Sequence, residues 1–504
     1  MARNLCALAL LAGTVCVAFA DDKDPIKEKL IAAKEAYNAE LQHYRKDIGE
    51  WFDKREEAAR KDGNKKLVDQ LKAERGAFEE SGELPKTMPA SMRQRPAVAK
   101  KSLEAAHELA VKEYTKIKKD AEAAAVEEAW AAFAKENGEE LPGYSNRSGA
   151  MKARLLKEGG GNAESEKAVA LGLAWLARQQ KADGSWVFDQ GSKEEVTCAT
   201  ALALLPFLAA GETHKDARGK YTEVVKKGLG YLMKNCPLNG ASAGKMSNNL
   251  YAQGIATIPL CEAYGMTKDP ALKPYAQTAI NYIQKAQGPN GSWGYSPGTN
   301  GDTSIVGWQI QALQAAKLSK DLVVNDKVYQ KAVKFLDLTG SGAKKSMYGY
   351  ADSAGAAPGT ALTAVGLLCR SKIDAWGPNH PGMIDGVAGL VKNSPKGVGV
   401  VSNMYYYYYA TQVIHNYEGE DWKNWNEGPK QDDGSRKGGM RDWLVTAQNK
   451  KDGANLGSWD PEAGWFGTSC GRLGSTAVCL LNLEVYYRYG PLEKKDDKKD
   501  PPKK

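Results

Sequence analysis

Few side chains in this sequence are placed to do chemistry. Asp302 is the foremost candidate acid or base, standing in the run Gly301-Asp302-Thr303-Ser304 just ahead of an apolar segment. Asp352 is its candidate partner, since two carboxylates in one cleft split their pKa values and share acid and base work. A carboxylate directly before a helix also has the position of an N-cap, so Asp302 is either catalytic or structural. Asp432 and Asp433 precede Gly434 inside a polar loop. The chain has five histidines, His43, His107, His214, His380 and His415. None stands at zinc-site spacing with a cysteine, so neither a metal nor another cofactor is expected. His415 falls within an apolar run and faces either a cavity or the core.

These residues are set by two unlike regions of a 504-residue chain. Residues 1–20 have the form of a secretory signal, with Arg3, an apolar run and Ala18-Phe19-Ala20 before Asp21. The mature protein is expected to be exported, periplasmic or secreted. No later segment is apolar enough to cross a membrane. The net charge of +8 is spread among mixed acidic and basic residues, which argues against a nucleic-acid stripe. Residues 21–140 are charged, Ala-rich and almost free of Gly. Leu30, Tyr37, Tyr44 and Trp51 recur every seven residues, with Leu41 and Ile48 between them. This pattern predicts a two-helix antiparallel hairpin arm, which either binds a protein partner as a coiled coil or covers its own seam. Residues 141–163 read as a loop-rich linker, and residues 491–504, rich in Lys, Asp and Pro, as a disordered tail.

Residues 164–490 alternate between nearly all-apolar and amphipathic helices, six of each. The apolar ones must be buried and the amphipathic ones must face solvent. Six pairs close into a ring of two layers, with parallel inner helices and antiparallel outer ones. A turn recurs between outer and inner helices: Gln180, Gly184 and Trp186; Gln287, Gly291 and Trp293; and, more loosely, Gln448, Gly457 and Trp459. Glycine permits the turn, tryptophan covers the helix ends, and glutamine bonds free backbone groups next door.

The Gln-x3-Gly-x-Trp turn resembles the QW repeat of the squalene cyclase and protein prenyltransferase superfamily. The inner-helix segments resemble exported bacterial proteins with squalene-cyclase-like repeats of unassigned role. The resemblance implies an all-α fold, an (α/α)6 toroid. It does not carry over the superfamily's chemistry. The DxDD acid of squalene-type cyclases, the DDxxD of metal-dependent terpene synthases and the zinc ligands of prenyltransferases have no counterpart here. Cys470-Gly471-Arg472-Leu473 departs from the thioester run of complement-like toroids.

What remains is the ring cavity. Parallel inner helices gather their N-termini, and hence positive dipole, at one mouth, a setting for an anionic or polar ligand. Asn249, Tyr251, Gln253, Trp308, Tyr405, His415 and Arg472 are the candidate ligand-binding residues there. Three functions are compatible with this. The first is a toroid that binds a hydrophobic or polar small molecule, or a partner, without catalysis. The second is a terpenoid cyclase or isomerase with Asp302 as acid and aromatic walls steadying a carbocation. The third is a polysaccharide hydrolase or lyase, with Trp422 and Trp425 in the Glu418–Gly434 loop offering a sugar face. Cys198 and Cys470 precede the first and last inner helices, and a disulfide between them would seal the seam.

Overall fold

The computed structural model describes residues 24–488 except 82–84, 86–87, 137–143, 218, 396, 398 and 452. The expected signal and C-terminal tail lie outside the described residues. Contacts divide the chain into two units, one of Met1–Leu141 with Gly149–Met151, the other of Pro142–Ser148 with Lys152 onward.

The first unit holds α1 (Pro25–Lys61), α2 (Lys65–Ser81), α3 (Ala90–Lys116) and α4 (Asp120–Glu136). Asp24 starts α1 by accepting from the Ile26 and Lys27 amides at 3.0 and 3.2 Å, with Pro25 in the first turn. α1 and α3 run antiparallel. Arg95 pairs with Glu40 and Asp47 in mid-helix, while the Tyr114 hydroxyl donates to Asp24 at the far end, 3.0 Å away. Each half of this hairpin is itself broken. Gly63 and Lys118 take left-handed φ values of 62° and 59°, which end α1 and α3. α2 then folds back on α1, bringing Phe78 to Phe52 and Arg75 to Asp53. α4 packs on α3, with Trp130 against His107. The seam residues Leu30, Tyr44 and Ile48 are buried by the arm's own helices.

The second unit does not open with a loop, as the expected linker would have it. A 3-10 turn, Ser145–Arg147, leads into α5 (Gly149–Glu158). The stretch Met151–Glu158 is made of strong helix formers, and only its flanking glycines read as loop. Then follow α6 (Ala163–Gln179), α7 (Val196–Ala209), α8 (Thr222–Lys234), α9 (Leu250–Thr267), α10 (Lys273–Lys285) and α11 (Thr303–Leu318). After these come α12 (Asp326–Thr339), α13 (Ala361–Ile373), α14 (Pro381–Leu390), α15 (Met404–Tyr417), α16 (Gly419–Glu427), α17 (Met440–Ala447), α18 (Trp465–Leu483) and α19 (Val485–Arg488).

α7, α9, α11, α13, α15 and α18 form the inner ring. Each packs on the next, and α18 returns to α7, so the ring is closed. Their early residues meet one another, Tyr251 with Trp308 and Tyr405 with Phe466, so they run parallel. These helices are buried on nearly every face, whereas α8, α10 and α12 bury one stripe. The unit is an all-α (α/α)6 toroid.

All three copies of the repeat turn make the same bonds. The Gln180 amide donates to Gly184 O and Val224 O, that of Gln287 to Gly291 O and Val328 O, and that of Gln448 to Gly457 O and Ala168 O. Each glutamine therefore ties its turn to the next outer helix, and Gln448 ties the last repeat to the first. Trp186, Trp293 and Trp459 are fully buried, and each donates its indole N–H to a carbonyl of the preceding outer helix. Burying one indole removes roughly 200 Å² from water, an upper-bound gain of about 5 kcal/mol. Gly291 is required twice over: its φ is 90°, and an added Cβ would lie 2.0 Å from Lys331 O of the next outer helix.

The cysteine pair expected to seal the seam is present as two free thiols. Burial raises the pKa of both, Cys470 to about 12, so neither is the thiolate that exchange chemistry requires.

Candidate functional site

The mouth where the inner helices begin is rimmed by carboxylates, and the helix ends consume them. Asp302 is 2% exposed, and its Oδ1 accepts from the Ser304 and Ile305 amides and from the Ser304 hydroxyl. α15 has no cap of its own, because Asn403 ahead of it is left-handed with φ 52°. Glu462 supplies one from another element, accepting from the Met404 amide at 2.6 Å. Burial raises the Glu462 carboxyl pKa, and hydrogen bonds from Met404 and Gly467 amides oppose the rise. α18 breaks at Gly471, with φ 63° and ψ −153°, and restarts under Asp189, which accepts from the Arg472 and Leu473 amides at 3.1 and 3.0 Å. Asn249 caps α9 and Thr360 caps α13. Five of the inner-helix starts are thus satisfied by the protein's own oxygens. At these five starts, N–H groups expected to attract an anionic ligand are already used, and α7 alone of the inner helices begins without a side-chain cap.

Below the rim, aromatic side chains fill the ring axis. Tyr251 meets Trp308 edge to face at 6.0 Å, and Trp308 stacks on Tyr408 at 5.3 Å and crosses Tyr409 at 5.6 Å. Tyr405 packs on Tyr409 and Phe466. Trp308, Tyr405, Tyr408 and Tyr409 are all buried. The Tyr408 hydroxyl donates to Gln311 Oε1 at 2.8 Å and accepts from Arg488 at 3.1 Å. Trp465 stands above this column at the lip, 55% exposed, edge-on to Tyr251 and Tyr405. Tyr295 and Tyr350, also exposed, touch through their hydroxyls at 3.2 Å on the same mouth.

The opposite end, where inner-helix carbonyls point out, is closed by cations. Arg147 donates to Glu262 at 2.8 Å and to Arg488 O at 2.9 Å, with Arg488 3.6 Å from the other Glu262 oxygen. Tyr144 lies under Arg147, packs on Gly265 and donates to Ala315 O at 2.8 Å. Positive groups at helix C-termini offset the dipole. Burial pushes the nearby Glu484 carboxyl well above the usual range, and desolvation, with Arg488 adjacent, holds Lys372 down at about 8.

The residues singled out in the sequence separate into two groups. Tyr251, Trp308 and Tyr405 come together below the rim, with Asp302 beside them. The others are placed elsewhere or are already occupied. Gln253 accepts from the Met246 and Ser247 amides and donates to Gly244 O, holding a loop. Arg472 turns outward to Ser458 and Asp460. Asp352 lies on an exposed turn, accepting from the Ala354 amide, and is not hydrogen-bonded to Asp302. His415 packs edge-on against Trp422 at 4.8 Å, and burial lowers its pKa to about 4. Trp422 and Trp425 are buried anchors of α16, donating to Gly159 O and to Thr411, so they present no sugar face. Among the described residues, no three His, Cys, Asp or Glu side chains converge as metal ligands would.

Sequence reasoning missed Asp189, Glu462 and Trp465. A signal existed for the first two. Each stands three residues after a motif tryptophan, Trp186 and Trp459, and each caps the inner helix that precedes it around the ring.

No family model matches the chain, and no curated protein matches it either. Among solved structures, an inactive variant of the GH76A α-1,6-mannanase of Salegentibacter sp. HEL1_6 is similar at 11% identity, with 64% of this chain and 99% of that one covered and a TM-score of 0.45. The GH76 α-mannanase of Bacteroides thetaiotaomicron is similar at 10% identity, covering 66% and 98%, with a TM-score of 0.43. A type II terpene cyclase, MstE from Scytonema, is similar at 14% identity, covering 64% and 97%, with a TM-score of 0.40. The ring described above rests on this chain's own helix contacts.

Proposed function

We propose that this protein is a binding toroid that works at the inner-helix N-terminal mouth and carries out no reaction inside the ring. The observation behind this reading is the aromatic column. Where a cyclase needs a chamber shaped for a long hydrocarbon, Trp308, Tyr405, Tyr408 and Tyr409 pack on one another along the axis. The state of Asp302 supports it. A side-chain oxygen that accepts from two amides and a hydroxyl must give up its cap before it can reach a substrate. The mouth, by contrast, offers exposed rings on a rigid frame, the usual form of a recognition surface.

The test exposes the wild-type protein and Trp465→Ala to the same lipid and glycan extracts, followed by mass spectrometry of what is retained. Retention by the wild type, lost in the variant, with every retained mass unchanged, is the expected result. Recovery of cyclised or cleaved products would overturn the proposal.

A further inference from the structure

The outer wall of the ring holds a polar cleft that the architecture does not require. It lies between α10 and α12 and encloses about 440 Å³. Asn281, Gln284 and Lys285 line it from α10, and Asn325, Lys327 and Lys331 from the start of α12. All three lysines are exposed. Among the described residues, no carboxylate lines the cleft and none of these lysines forms an ion pair. Lys327 and Lys331 stand one turn apart on one face of α12, a like-charge pairing that weakens a helix. We infer that the cleft is a binding site for a phosphate group, carried on a small molecule or as a lipid headgroup, with Lys285, Lys327 and Lys331 as its cationic contacts. The site lies on the outer wall and stands independently of the mouth.

The lining selects the ligand class. Asn281 Oδ1 accepts from the Gln277 and Gln284 amides at 2.9 and 3.4 Å. Gln284 Oε1 accepts from the Asn325 backbone amide at 2.7 Å, and Asn325 Oδ1 from that of Lys327 at 3.0 Å. These acceptors are spent within the protein, whereas an ammonium group offers three N–H donors and no acceptor. Donors in excess call for a ligand that accepts, and like charges gathered from two helices call for one that is negative. Three cations suit a doubly charged phosphate better than a single carboxylate, and the volume admits a sugar-sized body with it. The repeat itself shows that the lysines are not structural. Gln180, Gln287 and Gln448 bond the carbonyls of Val224, Val328 and Ala168, which fixes equivalent positions. The residue before that carbonyl is Glu223, Lys327 or Lys167, and the residue three after it is Lys227, Lys331 or Leu171. Two places before the glutamine stand Arg178, Lys285 and Thr446. In the first copy Glu223 pairs with Lys226, and Arg178 donates to Leu456 O, so no cationic cleft forms there. The same frame is thus built twice without the three lysines.

The experiment titrates the full chain by calorimetry with inorganic phosphate, glucose 6-phosphate and glucose, at about 0.1 M salt so that diffuse charge is screened. A parallel arm measures co-sedimentation with phosphatidylcholine vesicles, with and without phosphatidic acid. The double variant Lys327→Gln/Lys331→Gln removes two contacts of the cleft. Lys227→Gln/Lys234→Gln removes the same charge from exposed positions on α8. At least one phosphate probe should bind, and the cleft variant should weaken it by about tenfold or more. The α8 variant should weaken it less than about twofold, and both should keep the wild-type melting temperature. Binding of glucose 6-phosphate or inorganic phosphate with this pattern makes the ligand a soluble phosphate. Binding only of phosphatidic acid vesicles, with the same pattern, makes it a headgroup, and either result supports the site. The inference is overturned if no phosphate probe binds, if glucose binds as tightly as its phosphate, or if the two double variants lose affinity alike or not at all.

Discussion

Replacing Gln448 with alanine should destabilise the ring by about 2–5 kcal/mol, a figure that follows from what its amide holds. Nε2 donates to Ala168 O at 2.8 Å and to Gly457 O at 2.9 Å, and both bonds are buried. Ala168 sits inside α6 and keeps its helical bond, so losing the second donor there costs about 0.5–1.5 kcal/mol. Gly457 O belongs to the turn, outside any helix ladder, and is left buried and unpaired at about 1–3 kcal/mol. The lost methylene adds roughly 0.8 kcal/mol. Urea unfolding followed by tryptophan fluorescence measures the change, because most tryptophans lie in the ring. The comparison is Gln180→Ala, which removes the equivalent bonds within the ring at a less buried turn and should cost less. A loss below about 0.5 kcal/mol for Gln448→Ala, with an unchanged denaturant slope, would refute the claim that this glutamine closes the outer layer.

Three further outcomes follow from the geometry. Asp302→Ala should cost roughly 1 kcal/mol of stability and Asp302→Asn only a few tenths, as expected of an N-cap that asparagine can replace; equilibrium denaturation measures both. His415 is partly buried, and desolvation lowers its pKa to about 4, so the unfolded chain binds the extra proton, and stability present above about pH 6.5 is lost as pH falls toward 4, by up to about 3 kcal/mol. His415→Phe should flatten that part of the pH–stability curve, and a curve identical to wild type would count against a desolvated imidazole at this position. Titrating the unfolded, unreduced protein made from residue 21 onward should find the six thiols Cys198, Cys236, Cys261, Cys369, Cys470 and Cys479 free, whereas a count of four would show the seam pair oxidised.

The ring was legible in the sequence because burial writes itself into composition. α7 and α9 are apolar all round, α8 and α10 along one stripe, and their alternation implies two layers. The repeat turn was legible too, since the Gln, Gly and Trp of each copy have fixed backbone partners. The arm was legible only in part. Gly63 marked one break, but Lys118 takes its left-handed conformation with nothing in its identity to announce it. The helix over Gly149–Glu158 was hidden by its short length between glycines. The mouth was the least legible. Asp302 looked alike as a catalyst and as a cap, and only its three bonds decide between them. Capping by Asp189 and Glu462 depends on contacts across hundreds of residues or between neighbouring helices. Five tyrosines in a row specify no direction, and it took the packed helices to turn Tyr405, Tyr408 and Tyr409 toward the axis.

The account stands on the ring axis being filled by the protein's own side chains, and diffraction from crystals under xenon pressure tests this most directly. Xenon enters dry apolar voids and finds none where packing is complete. The account predicts no xenon among Tyr251, Trp308, Tyr405, Tyr408 and Tyr409. A well-occupied xenon site on that axis would reveal a hydrocarbon-sized chamber and return the ring to the reading of a cyclase.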